Sequence, residues 1–179
     1  MISKTNSEGT FNFMTYRQTL SLPLRQASLC FLVRPNRVLL AMKKRGFGQG
    51  FWNGVGGKVN AGEAIETAAI RETEEEIKVT PTSLRQVATL NFYFPHAPAK
   101  QNWDQQVIVY LAGAWQGEPA ETEEMAPRWF DVDQLPFEAM WQDDRYWLPQ
   151  VLAGHFIKGD FAFDQNQRLL GFDLTEGAF

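Results

Sequence analysis

The sequence predicts a mixed α+β fold, in which β-sheet layers pack against helices. Most apolar segments are short and separated by turn-forming residues, which is typical of strands. In contrast, the stretch 64–77 is rich in strong helix formers and contains neither glycine nor proline. Strands therefore dominate the predicted fold, and one long helix interrupts them early in the chain.

The predicted elements follow one another without an internal repeat. Residues 1–22 lack sustained periodicity, so we expect a loosely ordered N-terminal extension before a single domain at 23–179. Apolar runs and turn residues then predict a hairpin, a glycine-rich loop, the helix, two longer strands, a short strand, a second helix and a final hairpin. In chain order these span 27–42, 46–57, 64–77, 84–94 and 106–115, 129–130, 143–152 and 155–174.

Size and composition narrow the class of protein. The chain has 179 residues, 44% of them hydrophobic and 21% charged, which suits one folded domain and excludes wholesale disorder. No apolar run reaches the roughly 18 residues of a membrane helix, and the polar N-terminus lacks a secretory pattern. Cys30 is the single cysteine, so we expect a buried, inert thiol and a cytoplasmic location.

Charge is distributed unevenly along the chain. Residues 1–62 hold nine basic residues and one acidic residue, whereas 63–76 hold six glutamates and one arginine. With a net charge of −4, the chain lacks the basic excess of a protein that binds nucleic-acid polymers. A basic segment beside clustered carboxylates suits a small polyanion held with metal ions, although two oppositely charged solvated faces would give the same pattern.

Three glutamates of the predicted helix share one face. At about 100° per residue, Glu75 and Glu76 lie within roughly 60° of Glu72. Such close like charges destabilise a helix, especially near its C-terminal end, where the helix dipole disfavours anions. A divalent cation would offset this repulsion, because carboxylates are the hard ligands that Mg²⁺ prefers. The competing interpretation is a solvated acidic patch with Lys78 as its counter-ion.

The spacing of these residues resembles the signature of the Nudix hydrolases. Gly57 is followed after five residues by Glu63, and after seven more by Arg71-Glu72 and then Glu75-Glu76. Six positions in register are far more specific than a lone glycine motif. Two positions depart from the signature: Thr73 replaces an aliphatic residue, and Lys78 replaces a glycine.

For each of these two substitutions we expect a specific local structure. We expect Thr73 to pack by its methyl group, with its hydroxyl bonded back to the helix. Lys78 must either take the left-handed conformation usual for a helix-ending glycine, at a cost of about 1 kcal/mol, or change the shape of the turn.

The resemblance implies the Nudix fold, a mixed β-sheet sandwiched between helices, and hydrolysis of a nucleoside diphosphate linked to another group. It implies Mg²⁺ as cofactor, with Mn²⁺ as a substitute, and a metal-activated water that attacks phosphorus. The implied metal ligands are Gly56, through its carbonyl, Glu72, Glu75, Glu76 and Glu124. The implied catalytic residues are Arg71, Glu72, Glu75 and Glu76. Lys43, Lys44 and Arg45 are candidates for phosphate contact.

Further stretches resemble the animal MutT-type branch of that family, over about residues 27 to 174: they are 42–48, 52–54, 56–59, 124–125, 129–130, 136–137, 140–144 and 146–147. This similarity implies cleavage of oxidised purine nucleoside triphosphates, such as 8-oxo-dGTP and 2-hydroxy-dATP, to the monophosphate and pyrophosphate. Such an enzyme sanitises the nucleotide pool and prevents DNA damage. The implied substrate-binding residues are Ser28, Lys43, Phe47, Asn53, Gly56, Gly57, Lys58, Phe92, Phe94, Met125, Trp141, Gln142, Asp143 and Asp144.

Part of this pocket also follows from the residues themselves. Trp141 offers an aromatic face for a base, and Asp143-Asp144 in a dry pocket cannot both ionise, so one becomes a neutral donor. The Asn53 amide can both donate and accept. Taken singly, these residues would more often be a core tryptophan, a helix cap and a turn residue.

Two other functions remain open. The chain could be a Nudix hydrolase for ADP-ribose, a dinucleoside polyphosphate or another modified nucleotide. Alternatively, Lys78 could mark a non-catalytic nucleotide-binding module. In every case we expect a monomer that binds a small nucleotide, with neither a nucleic-acid polymer nor a membrane as partner.

Overall fold

The structure is a computed structural model that describes residues 3–5, 11–97 and 103–177. The strands are β1 (Ser3–Thr5), β2 (Arg25–Arg34), β3 (Arg37–Lys43), β4 (Trp52–Asn53), β5 (Thr80–Tyr93), β6 (Gln105–Gln116), β7 (Met125–Asp131), β8 (Phe156–Phe163) and β9 (Leu169–Gly177). The helices are α1 (Phe13–Thr19), α2 (Ile65–Ile77) and α3 (Asp144–Leu152), with a 3₁₀ turn at Phe137–Ala139. No helix in these ranges is long and apolar enough to cross a lipid bilayer.

The described strands form a mixed sheet in the order β1-β9-β8-β5-β6-β2-β3-β4, with β7 on the other side of β3. The pairs β2–β6 and β5–β8 are parallel, and the other pairs are antiparallel. β2 pairs with β6 along most of its length but with β3 only at its C-terminal end. The two strands therefore diverge and leave room beside β2 for another segment.

Helices cover both faces of the sheet, as the sequence predicts. α2 packs against β2, β5 and β7 over the smaller core, which includes Cys30, Ile77 and Met125. α3 packs against β8, and its Trp147 and Leu148 are fully buried in the larger core. The predicted mixed sheet between helices is therefore confirmed.

The signature helix ends as its sequence allows. Lys78 takes the left-handed conformation, with φ 63° and ψ 30°, and its backbone N–H donates to the Glu74 carbonyl. The lysine therefore keeps the helix-ending turn instead of changing its shape. Thr73 is buried, and its hydroxyl donates to the Ala69 carbonyl at 2.7 Å. Both substitutions in the signature are thus accommodated without displacing the helix.

Within the segment 1–22, for which the sequence predicts loose order, the described residues form the strand β1 and the helix α1. The helix α1 is capped by the Asn12 side chain, which accepts a hydrogen bond from Thr15 N–H at 2.9 Å. None of the residues of α1 is buried. Side-chain hydrogen bonds of Tyr16 and Arg17 attach it to the sheet, and apolar periodicity cannot reveal such contacts.

Candidate active site

A cavity of about 310 Å³ lies where the glycine-rich segment, the β2–β6 pair and the start of α3 meet. It gathers residues that are far apart in the sequence. All predicted substrate-binding residues except one line it: Ser28, Lys43, Phe47, Asn53, Gly56, Gly57, Lys58, Phe92, Phe94, Met125, Trp141, Asp143 and Asp144.

Gln142 departs from the prediction. Its side-chain carbonyl accepts a hydrogen bond from Leu169 N–H at 2.7 Å, and the residue is exposed. Trp141 and Asp143, its neighbours in the turn before α3, face the cavity. Successive residues of a turn point in different directions, so a match of consecutive sequence positions could not separate Gln142 from them.

The glycine-rich segment runs alongside β2, in the space left by β3. Ser28 N–H donates to the Gly57 carbonyl at 2.9 Å, and Cys30 and Val55 exchange two backbone hydrogen bonds. A Cβ atom at Gly56 would lie 2.0 Å from the Ser28 carbonyl oxygen. Only glycine fits this close backbone approach, as the predicted loop requires.

Two adjacent carboxyl groups are buried at the inner end of the cavity. Asp143 and Asp144 are each 2% exposed. Burial raises the pKa of both groups, and the charge of Asp143 raises the pKa of Asp144 further. Asp143 Oδ2 accepts a hydrogen bond from Trp147 Nε1 at 2.9 Å, whereas Asp144 Oδ2 has no partner among the described residues. The pair can therefore present both a proton and an acceptor to a bound molecule.

Aromatic rings form another part of the cavity wall, called here the aromatic wall. The ring of Phe47 lies 5.1 Å from that of Trp141 and 5.9 Å from that of Phe94, and Trp141 also contacts Phe163 at 5.6 Å. Phe47 is 48% exposed although it packs against these rings. An aromatic surface that is partly open to solvent is suited to stacking a planar base.

Polar groups are sparse on the remaining walls. The Ser28 hydroxyl is buried and has no hydrogen-bond partner within the described ranges. The Asn53 side-chain oxygen accepts from Gly54 N–H at 2.7 Å, which leaves its amide hydrogens to face a ligand. A few fixed polar groups in an apolar cavity are typical of a site that recognises one orientation of its ligand.

Glu76 connects the cavity to the acidic helix. Its side chain is 6% exposed, and its carboxylate lies 3.5 Å from Lys43 Nζ. It also accepts a hydrogen bond from Gly56 N–H at 3.3 Å. Burial raises the pKa of Glu76 to about 6, and the nearby charge of Glu72 adds to the rise against the opposing effect of Lys43. A buried, partly compensated carboxylate beside a second one is a suitable cation ligand.

Glu72 is held next to the glycine segment. A Cβ atom at Gly57 would lie 2.5 Å from the carboxyl carbon of Glu72, so glycine makes room for this side chain. Arg71 Nη1 donates to Glu72 at 2.8 Å and to Glu75 at 3.2 Å. Its other nitrogens contact both carboxylate oxygens of Glu63, at 2.8 and 3.0 Å, and these hydrogen bonds lower the pKa of Glu63 to about 2.

The structure brings only some of the predicted metal ligands close to one another. Within the described ranges, no three His, Cys, Asp or Glu side chains are already spaced to hold a metal ion. Glu75 is 61% exposed and faces Arg71, and Glu124 pairs with Arg45. The donor chemistry nevertheless fits a divalent cation, since Glu72 and Glu76 bring hard oxygen ligands to one place beside the Gly56–Gly57 backbone. The structure thus brings two of the four predicted carboxylates together.

The predicted phosphate contacts also divide into two groups. Lys43 lines the cavity and contacts Glu76. Lys44 instead contacts Glu121 at 2.8 Å and the Thr122 carbonyl at 2.6 Å. Like Arg45, it is bound to the acidic segment before β7, so only Lys43 lies where a ligand in the cavity can reach it.

Other lining residues were not identified from the sequence. They are Ala27, Leu29, Gly48, Phe51, Gly54, Gln105, Val107, Trp147 and Phe163. The alternation of Ala27 with Leu29 and of Gln105 with Val107 places each pair on one strand face. That pattern would have indicated a shared surface, but not that the surface borders a cavity instead of core.

Comparisons with known proteins show which family and which relatives this chain resembles. The NUDIX domain model matches residues 23–151. The chain is 42% identical over 152 residues to the oxidized purine nucleoside triphosphate hydrolase of Mus musculus, covering 85% of this chain and 95% of the mouse protein. It is 43% identical over 149 residues to the protein of the same name from Danio rerio, covering 83% of this chain and 93% of that protein. A solved structure of a MutT protein from Bacillus halodurans has a similar fold, with a TM-score of 0.71 at 24% identity over 84% of this chain and 97% of that chain.

Proposed function

This chain belongs to the Nudix hydrolase family, and we propose that it hydrolyses oxidised purine nucleoside triphosphates to the monophosphate and pyrophosphate. The match of the family model to most of the chain establishes the family. The two animal relatives, which carry that activity in their names, support the substrate class. We further propose that the enzyme acts as a monomer, without a nucleic-acid or membrane partner.

The lining of one cavity supports this proposal best. Aromatic rings, the buried aspartate pair, Lys43 and the Gly56–Gly57 backbone all line this cavity. The glutamates Glu72 and Glu76 lie against that backbone, and Glu76 also contacts Lys43. A nucleotide has parts that match this lining, with a flat base at one end and a charged phosphate chain at the other.

The inner end of the cavity suits an oxidised purine. Because two adjacent buried carboxyl groups do not both ionise, the pair of Asp143 and Asp144 offers one donor and several acceptors to a purine edge. Oxidation of guanine at C8 converts N7 from an acceptor to an N–H donor. The amide of Asn53 borders the same cavity. Because it can donate or accept a hydrogen bond, it is proposed to distinguish the two forms of N7. Phe47 and Trp141 would stack against the ring, which contributes about 1–3 kcal/mol per base.

Members of this family typically use a divalent metal, and we propose Mg²⁺, with Mn²⁺ as a substitute. Glu72, Glu76 and the Gly56 carbonyl would hold it, joined by Glu75 and Glu124 if these turn away from their arginines. A bound divalent ion would neutralise charge on the phosphate oxygens and would lower the pKa of a water molecule for the attack on phosphorus. The residues of the chain do the remaining work: Arg71 orients Glu72 and Glu75, and Lys43 contacts the phosphate chain.

A substrate panel with separate detection of pyrophosphate and inorganic phosphate tests this function. With Mg²⁺ present, 8-oxo-dGTP and 2-hydroxy-dATP should give pyrophosphate, faster than dGTP and dATP do. With the metal chelated, the release should stop. Preferential cleavage of ADP-ribose or a dinucleoside polyphosphate would instead support the alternative Nudix substrates. A rise in melting temperature with nucleotide, but no phosphate release at any Mg²⁺ concentration, would support a binding module.

A further inference from the structure

Asp104 connects three segments of the fold and contacts the cavity-lining residue Phe94. Its side chain accepts a hydrogen bond from Phe94 N–H at 2.7 Å and another from the Tyr16 hydroxyl at 3.1 Å. Its backbone carbonyl accepts from Arg25 N–H at 3.1 Å. Asp104 is only 8% exposed, so its carboxylate depends on these donors for compensation. The position of Asp104 therefore depends on hydrogen bonds from three segments: α1, the end of β5 and the start of β2.

The residues held by Asp104 form part of the aromatic wall. The Phe94 N–H donates to the Asp104 carboxylate, and Trp103 directly precedes Asp104 in the chain. The two rings pack edge to face at 5.9 Å, and the Phe47 ring contacts both, at 5.9 and 5.4 Å. Phe94 and Phe47 line the cavity. A displacement of Asp104 would therefore move the surface on which a base stacks.

Polar groups and ring contacts together attach α1 to this region, since Phe13 and Tyr16 pack against the Tyr93 ring at 5.8 and 5.7 Å. No residue of α1 is buried, so packing alone does not hold it. Besides the Tyr16–Asp104 contact, Arg17 Nε donates to the Tyr93 hydroxyl at 2.8 Å and its guanidinium pairs with Asp160. Asp160 also accepts from Asn91 at 3.0 Å. The helix thus bridges β5, β8 and the segment that enters β6.

We propose that α1 positions the aromatic wall of the cavity, with Tyr16 and Asp104 as positioning residues for the binding of the purine ring. This inference rests on the proposed function, because it assigns the ligand of the wall as a purine base. Neither residue lines the cavity, so each acts through Phe94 and Trp103. Among the described residues, the hydrogen bonds, ion pair and ring contacts of α1 lead to Tyr93, Asp104 and Asp160 and not to Lys43, Glu72 or Glu76, so the chemical step should not depend on the helix.

The Tyr16→Phe variant tests this role, because it removes one hydroxyl and keeps the aromatic ring. Met14→Ala is the matched control, since Met14 lies on the same helix and is 73% exposed. The probe is 8-oxo-dGMP, which carries the base without the phosphate chain that is cleaved. We expect its dissociation constant to rise about fivefold in Tyr16→Phe, the amount that one net hydrogen bond supplies. The kcat for 8-oxo-dGTP should stay within about twofold of wild type.

Hydrogen exchange at the Phe94 amide gives an independent readout. It should become faster in Tyr16→Phe and remain unchanged in Met14→Ala, because Phe94 N–H donates to Asp104. Unchanged exchange, or faster exchange with an unchanged dissociation constant, would overturn the positioning role. Failure of the proposed function looks different: the wild-type enzyme would then bind 8-oxo-dGMP no better than dGMP and would not cleave 8-oxo-dGTP.

Discussion

The indole N–H of Trp147 donates a hydrogen bond to Asp143 at 2.9 Å, inside a region from which solvent is excluded. The neighbouring Asp144 has a carboxyl oxygen with no partner among the described residues. The two aspartates thus differ in their surroundings. Trp147 holds the Asp143 carboxylate, whereas one Asp144 oxygen at the cavity accepts no hydrogen bond from a described residue.

Asp144 should make the stability of the protein dependent on pH. Because its folded pKa is raised, the folded protein binds more protons than the unfolded chain above about pH 4, and stability is lost as pH rises. We expect Asp144→Asn to melt at a higher temperature than wild type at pH 8, with a smaller difference at pH 5. Calorimetric melting at the two pH values measures this, with the exposed Asp133→Asn as control. A difference that does not grow with pH would contradict the burial argument.

The ionised Glu76 side chain should lower the stability of the folded protein and yet be necessary for activity. Its pKa of about 6 means that stability is lost as pH rises from the ordinary glutamate value, 4.5, through about 6. In a metal-free buffer at pH 8, Glu76→Gln should therefore raise the melting temperature by roughly 2–6 °C. It should also lower kcat/KM at least about 100-fold, because a charged cation ligand is lost.

The matched control for Glu76 is Glu74, which lies on the same helix but is exposed. Glu74→Gln should leave both the melting temperature and the activity close to wild type. If Glu76→Gln kept wild-type activity, the carboxylates of α2 would not form the metal site.

The sequence predicted the elements whose signals are local. The hairpin with Pro35 and Asn36 at its turn, the signature helix and the final hairpin all appear, because periodicity and turn residues specify them. It did not predict α1, whose Tyr16 and Arg17 bind partners far along the chain. Contacts between distant residues leave no periodic trace in a single sequence.

The candidate site also has features that the sequence could predict and features that it could not. The spacing of Glu72 and Glu76 with the glycine segment could be recognised, since helix geometry fixes it locally. The exposure of Glu75 and the pairing of Glu124 with Arg45 depend on side-chain choices that spacing does not determine. The same holds for Gln142, which bonds to the β9 backbone at Leu169.

Lys78 offers a test of the helix end. Its φ of 63° is costly for a residue with a Cβ atom, so Lys78→Gly should stabilise the protein by about 1 kcal/mol, or roughly 2–4 °C in melting temperature. Activity should not change. Asn36, with φ 58°, is the control, because asparagine tolerates this conformation and Asn36→Gly should give a smaller gain. An equal or opposite effect of the two variants would refute the strain at Lys78.

Arg71 should act through the geometry of its fork. It contacts Glu63, Glu72 and Glu75 at once, and a lysine ammonium cannot reproduce this arrangement. We expect Arg71→Lys to weaken Mg²⁺ binding about 10–100-fold, as seen for residues that orient metal ligands. Isothermal titration with Mg²⁺ measures the change. Arg145→Lys, which alters the exposed pair with Glu138, should have no effect; unchanged Mg²⁺ affinity in Arg71→Lys would show that Arg71 does not orient the ligands.

We propose that the buried aspartate pair makes this Nudix hydrolase selective for oxidised purines. The most direct measurement is the ratio of kcat/KM for 8-oxo-dGTP to that for dGTP, in wild type and in Asp144→Ala. We predict a wild-type ratio of at least about 10 and a ratio near 1 in the variant, with the dGTP activity retained. A wild-type ratio near 1, or a ratio that is unchanged in Asp144→Ala, would show that the aspartate pair does not determine the selectivity.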